Sequence, residues 1–287
     1  MAKWTPKHSE KLAFGAMRLT AAFVAGVLFF IVGFIAYKGL GAALRPSFWL
    51  DFPQDALRSG GIFPALIGTL CLTATAMAAA AAIGIPAGVY FAEYAPETRL
   101  KRWMDVTTNN LAGIPSIVFG LFGMSFFVVG LGFGDSILAG GLTLALMVLP
   151  VVIRTTEQAF RDVPNEMRVA GLGLGATRFQ TLVRVVAPMA APRILTGVIL
   201  SLGRVAGETA PIMFTAAALY LPVLPQSIFD PVMALPYHLY VLSVSSPDPE
   251  KSLPAAFGAA LALLIIVAAL NAAAGFLRLR LERRLKG

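Results

Sequence analysis

The stretch FPALIGTLCLTATAMAAAAAIGIPAGVYF, from Phe63 to Phe91, runs 29 residues without a charge. As a helix it would rise about 43 Å at 1.5 Å per residue, more than the roughly 30 Å thickness of a bilayer's hydrocarbon core. Similar charge-free runs occur at Leu19–Tyr37, Val106–Leu131, Ser136–Ile153 and Ser252–Leu277, and Ile194–Leu219 is apolar except for Arg204 and Glu208. Backbone polar groups in lipid must be satisfied internally, so such runs cross as helices. The reading is an all-α, polytopic membrane protein with six transmembrane helices.

Composition agrees. The chain has 287 residues, is 57% hydrophobic and 13% charged, and its mean hydropathy is +0.77. Soluble domains carry about twice that share of charge, and disorder is excluded by the apolar content. One cysteine, Cys71, excludes an internal disulfide framework, and with two histidines, His8 and His238, it leaves no zinc ligand set of the usual kind. No cofactor is implied. Neither histidine lies in a span, so no Ser/His pair suggests an intramembrane hydrolase.

Orientation follows from the basic residues. Of 23 Lys/Arg, 18 fall in four segments: Lys3 to Arg18, Arg99 to Arg102, Arg154 to Arg193 and Arg278 to Lys286. The opposite side holds Lys38, Arg45, Arg58 and Lys251. The positive-inside rule then predicts cytoplasmic termini. The net charge of +8 reflects topology and contact with anionic lipid, not nucleic-acid binding. The first span lacks a cleavage signal and is expected to remain as an anchor. Trp49 and Trp103 read as interfacial residues.

Two segments outside the spans are too long for turns. Ala217–Lys251, outside, holds six prolines and cannot be one long helix; it reads as an irregular cap or a docking surface for an external partner. Inside, Asp162-Val163-Pro164-Asn165-Glu166 is a helix start. That helix should run to about Leu172, with Gly173 and Gly175 as its stop. Thr177 should cap a second helix through Val186, ended by Pro188. The alternative is an amphipathic helix lying on the membrane.

Arg204 and Glu208 stand out as charges i and i+4 in a span. An ionised residue at the bilayer centre costs about 2.5–3.5 kcal/mol on insertion scales. Either the two form a structural ion pair, or with Thr209 and Thr215 they line a polar substrate path. Arginine suits an oxyanion because its fork donates paired hydrogen bonds. Asn109 and Asn110, expected to open the third span, read as caps. Lys251-Ser252 is the one Lys followed by Ser or Thr, and no phosphate-binding loop surrounds it; if ATP drives the protein, another subunit binds it.

The inner segment Pro164-Asn165-Glu166-Met167-Arg168-Val169-Ala170-Gly171-Leu172-Gly173-Leu174-Gly175-Ala176 resembles the "EAA" loop of type I ABC importer permeases, the MetI-like fold. The family's Glu falls on Val169 and its second Ala on Gly171; Ala170, Leu172 and Gly175 are kept. Gly60–Ala65, Phe91-Ala92-Glu93-Tyr94-Ala95-Pro96, Asn110–Leu121, Gly203–Pro211 and Ala234–Tyr240 are together similar to the PstA family of permeases in bacterial phosphate importers. The resemblance implies a substrate path at Arg204, Glu208, Thr209 and Thr215. It implies ATPase coupling through Pro164, Glu166, Met167, Ala170, Gly171, Leu174 and Gly175. It also implies a PstC-like permease, a PstB-like ATPase dimer and a PstS-like phosphate-binding protein as partners, in a bacterial cytoplasmic membrane. Residues 60–278 would be the type-1 transmembrane domain, preceded by a tail, anchor and external segment at 1–59 and followed by a basic tail at 279–287. Permeases for phosphonate, sulfate or molybdate, or a proton-coupled secondary transporter using Glu208, are the alternatives; the paired halves common in secondary transporters are not evident.

Overall fold

A computed structural model describes residues 6–54, 59–96, 98–111, 113–245 and 249–286. Lys3, Arg58, Ala112 and Pro247, which enter the reading above, lie outside them. Helix α1 (Pro6–Ala43) is followed by α2 (Pro46–Leu50) and a two-stranded antiparallel hairpin, β1 (Pro53–Gln54) with β2 (Ser59–Gly60). Then come α3 (Phe63–Glu93), α4 (Arg99–Leu111) and α5 (Ser116–Gly123), which continues as a π-helical segment, Met124–Gly130. Next are α6 (Ile137–Arg161), α7 (Asn165–Gly173), α8 (Arg178–Thr181), a second π segment (Leu182–Val186) and α9 (Ala187–Gly207). Last are α10 (Ala210–Met213), α11 (Leu235–Tyr240) with a third π segment (Val241–Ser245), and α12 (Pro249–Lys286).

Among the described residues five helical runs are long and apolar enough to cross a membrane, and Ser116–Gly130 is a shorter apolar helix. The protein is thus an all-α, multi-pass membrane protein. The third span is shorter than Val106–Leu131. The chain breaks at Gly113-Ile114-Pro115, and α4 ends before it, so Asn109 and Asn110 close α4 instead of opening the span; Asn110 O accepts from Gly113 N–H at 3.0 Å. Pro115 disfavours helix at the residue before it, which a charge count does not register. The fourth span is longer than expected. Ser136 caps α6, its hydroxyl accepting from Ala139 N–H at 3.1 Å. At the other end Glu157 is gripped by Arg154 and Arg161, each at 2.7 Å, so charges continue the helix past Ile153.

The core is the α3–α6 seam. Gly68, Leu72, Ala76, Ala80, Gly84 and Gly88 recur every four residues on α3 and all are buried. Small residues at this spacing let helix backbones approach closely in lipid. A Cβ on Gly88 would meet Ile153 O and Thr156 Cβ, each at 2.6 Å. Leu144, Met147, Val148 and Val152 fill the facing side. By contrast no residue of α1's most apolar window is buried; it leans on α12 where Gly39 meets Phe257.

One end of the bundle is capped by the proline-rich loop. Its backbone ties onto the start of α6: Ser136, Ile137 and Leu138 N–H donate to Thr215, Asp230 and Ile228 O at 3.0, 3.0 and 2.9 Å. The expected irregular cap is therefore present, followed by the short helix α11.

Candidate functional site

Helix α9 stops at Gly207. Glu208 is extended, with φ −76° and ψ 131°, and α10 restarts with Pro211 in its first turn. Gly207 is a weak helix former and proline cannot donate to the preceding turn. The Arg204–Glu208 pair therefore sits at a helix break, with Arg204 in the last turn of α9 rather than mid-helix. Depth comes from neighbours. Glu208 shares a small cleft with Thr69, Thr73 and Leu144, which lie about 9–15 Å from the N-terminal starts of α3 and α6 at 1.5 Å per residue. For helices that begin at the edge of a hydrocarbon core about 30 Å thick, that distance falls inside it.

The pair is loose. Arg204 Nε reaches Glu208 Oε1 at 3.4 Å, and the Arg204 side chain is 40% exposed, whereas charge-assisted bonds usually measure 2.7–2.9 Å. Neither Nη group has a hydrogen-bond partner among the described residues. The threonines beside Glu208 are already engaged: Thr69 Oγ1 donates to Ala65 O and Thr73 Oγ1 to Thr69 O, each at 2.7 Å. Thr209 flanks the break without capping α10. Thr215 is fully buried and its hydroxyl donates to Pro211 O at 2.9 Å, so it shapes the chain after α10. Asn271, which sequence reasoning passed over, faces Gly203 from α12, and its Oδ1 is buried without a partner among the described residues. A lone amide in the Ser252–Leu277 run was the available signal.

At the opposite end the segment 164–176 folds as anticipated up to its second helix. Pro164 precedes α7, Glu166 lies in its first turn, and Gly175 takes φ +84°, the left-handed conformation that a side chain strains. Thr177 and Gln180 form a reciprocal capping box at α8. Pro188 does not end the second helix: Arg178–Gly207 is one continuous run. The π segment Leu182–Val186 rearranges the backbone bonding where the proline's missing N–H would interrupt it. Gly171 packs on Thr181, where a Cβ would lie 2.8 Å from Cγ2. Ala170 is exposed, as are Met167, Val169, Leu172, Leu174 and Phe179; Leu174 is 90% exposed. Phe179 was not anticipated.

A membrane bundle with one Arg–Glu pair at a helix break, and an exposed helix-turn with several apolar residues at one end, falls in the class of transport permeases. The sequence profile of the family described as "Binding-protein-dependent transport system inner membrane component" matches residues 84–287. The chain belongs to that family, a transport component and not a catalytic subunit. Among relatives, it is 37% identical over 261 residues to "Phosphate transport system permease protein PstA 1" of Mycobacterium tuberculosis (strain CDC 1551 / Oshkosh), covering 90% of this chain and 84% of that one. It is 40% identical over 243 residues to "Probable phosphate transport system permease protein PstA" of Methanocaldococcus jannaschii, covering 85% and 84%. Its fold is similar to a chain of the inward-facing MetNI methionine ABC transporter, with a TM-score of 0.62 at 18% identity, covering 77% of this chain and 97% of that chain.

Proposed function

We propose that the chain is the permease subunit of an ATP-driven importer of inorganic phosphate. The observation that carries this reading is Arg204: a guanidinium at membrane depth, at a helix break, with both Nη groups open. Lipid would penalise that exposure, so the face it occupies borders a polar path. A forked donor there suits a tetrahedral oxyanion. Glu208 holds one edge of the fork, Thr209 supplies a hydroxyl at the break, and Thr215 fixes the backbone beyond it. The printed names of the relatives supply the substrate class.

The segment from Pro164 to Gly175 is the coupling element. Glu166, Met167, Ala170 and Leu174 are exposed and available to a groove in an ATPase, while Gly171 and Gly175 set the shape. The partners are a PstC-like permease, a PstB-like ATPase dimer that binds the ATP, and a PstS-like binding protein outside. The end bearing α7 is the cytoplasmic one, as the distribution of Lys and Arg supports.

The test is reconstitution of the complex in vesicles, following phosphate uptake and ATP hydrolysis. Uptake should require the ATPase and lose to phosphate competitor ahead of sulfate, molybdate or phosphonate. Preference for one of those three would reassign the oxyanion. Uptake without the ATPase, driven by a proton gradient, would sink the reading. Single cysteines along α7 in a Cys71→Ser background should crosslink to the ATPase at helical spacing, and Ala170→Arg should release it.

A further inference from the structure

The motif Phe91-Ala92-Glu93-Tyr94 ends α3, and Glu93 is α3's last residue. A carboxylate there faces the negative end of the helix dipole, with no basic residue in the last turn of α3 to offset it. The compensating charge comes from 75 positions away. Arg168, in the second turn of α7, donates from Nη2 to Glu93 Oε1 at 2.6 Å, and from Nε to Oε1 and Oε2 at 3.2 and 3.3 Å. The same guanidinium donates from Nη2 to Phe160 O and from Nη1 to Val163 O, both at 2.7 Å. Phe160 O is among the last four carbonyls of α6; it also accepts from Val163 N–H at 3.2 Å, so Arg168 bonds to a carbonyl already held by the turn that ends the helix. One side chain therefore caps α6, neutralises the end of α3 and belongs to α7. Both partners are shielded, with side chains 21% and 17% exposed.

We infer that Arg168 and Glu93 are positioning residues forming the joint that passes displacement of α7 to the inner ends of α3 and α6. This rests on the reading of α7 as the coupling element. A helix of nine residues is too short to hold its own shape without tertiary support. Apolar contacts resist separation but are not directional. A planar fork bonded to a carboxylate and two carbonyls fixes orientation as well as distance. Because α3 and α6 are locked along their glycine-rich seam, a pull on their ends moves them together. Lysine would not serve, since an ammonium presents a point charge without the fork.

Glu93→Gln keeps the shape and an acceptor oxygen, and leaves Arg168 on its two carbonyls. In the reconstituted complex this variant should retain the ATPase at wild-type stoichiometry and hydrolyse ATP within about twofold of wild type. Phosphate taken up per ATP should fall about tenfold, within the 5- to 150-fold span of typical coupling effects. Glu93→Ala should fall further. An unchanged uptake-to-hydrolysis ratio in both variants would overturn the joint. A wild-type measurement stands apart from any folding defect. Spin labels at Tyr94→Cys and Leu172→Cys, in a Cys71→Ser background, should keep a constant separation between nucleotide-free and ATP-trapped states. A shift exceeding one helical turn, about 5.4 Å, would show that α7 moves independently of α3 and would reject the inference. If α7 cysteines crosslink to the ATPase while either result goes against the joint, the coupling reading stands and the joint alone fails. Absence of crosslinking would instead remove the coupling reading.

Discussion

Two Arg–Glu pairs occupy opposite parts of this molecule and are built to opposite ends. Arg168 and Glu93 come from distant parts of the chain, meet at 2.6 Å, and the guanidinium also holds two backbone carbonyls. Arg204 and Glu208 are neighbours in sequence, meet at 3.4 Å, and leave both Nη groups without a described partner. In the first pair four of the five guanidinium N–H groups are engaged and both side chains are shielded; the second is open and sits where a helix has stopped. Residue type and the presence of an ion pair therefore do not separate scaffold from site. The number of donors left unused is where the proposed path residue Arg204 differs from Arg168.

That contrast can be broken by experiment. The largest effect belongs to Arg204→Gln, which should reduce phosphate uptake more than 100-fold, by the order of a lost charged contact of about 3 kcal/mol, while the amount of assembled complex stays constant. Adding Glu208→Gln should not restore uptake. Recovery in the double variant would make this pair as structural as Arg168–Glu93. Next, Arg168→Lys should lower the unfolding stability of the detergent-solubilised complex by roughly 2 kcal/mol, the scale of hydrogen bonds to a charged group, whereas Arg204→Lys should leave it within about 0.5 kcal/mol. Equal melting shifts would erase the distinction. A smaller change is expected for Gly175→Ala, which places a side chain at φ +84° and costs about 1 kcal/mol or more; ATPase binding should weaken several-fold, read by copurification.

A further polar group, His238, sharpens the comparison with a buried ring nitrogen that has no partner among the described residues. His238, in the proline-rich cap, is buried, its Nδ1 has no partner among the described residues, and burial lowers its pKa from 6.5 to about 4. Lys38, Arg45 and Asp51 line the same cavity of about 610 Å³. Between pH 6.5 and 4 the unfolded chain binds the proton and the folded one does not, so this group destabilises the fold as pH falls through that window. Replacing it by Gln should flatten the acid side of the stability profile; an unchanged slope would mean the histidine is hydrated in solution.

Much of the architecture was legible because lipid enforces a simple rule: a span must be long and nearly charge-free. Phe63–Phe91 meets that rule and is a helix throughout. Local cap chemistry was legible too, as at Thr177 and Gly175. What escaped were the places where backbone geometry overrides composition. The break at Gly113–Pro115 and the stop at Gly207 lie within apolar runs, and the π segment absorbing Pro188 leaves no compositional mark. The inner ion pair was beyond local pattern altogether, because Glu93 and Arg168 meet through the packing of three helices. In the candidate path, Arg204 was found as a charge out of place, but its open geometry depends on Glu208 being extended instead of helical.

For the path proposed at Arg204, the helix stop at Gly207 also bears on how long an anion would stay. The C-terminus of a helix carries about half a unit of negative charge, and Glu208 adds a full one directly after it. Together they more than offset the single positive charge of Arg204. An oxyanion arriving there would find well-aimed donors but no net electrostatic well. Binding by direction without depth favours short residence, and permeation requires sites that release what they recognise. The turnover of such a path would be limited by the opening of the bundle and not by the grip of its arginine.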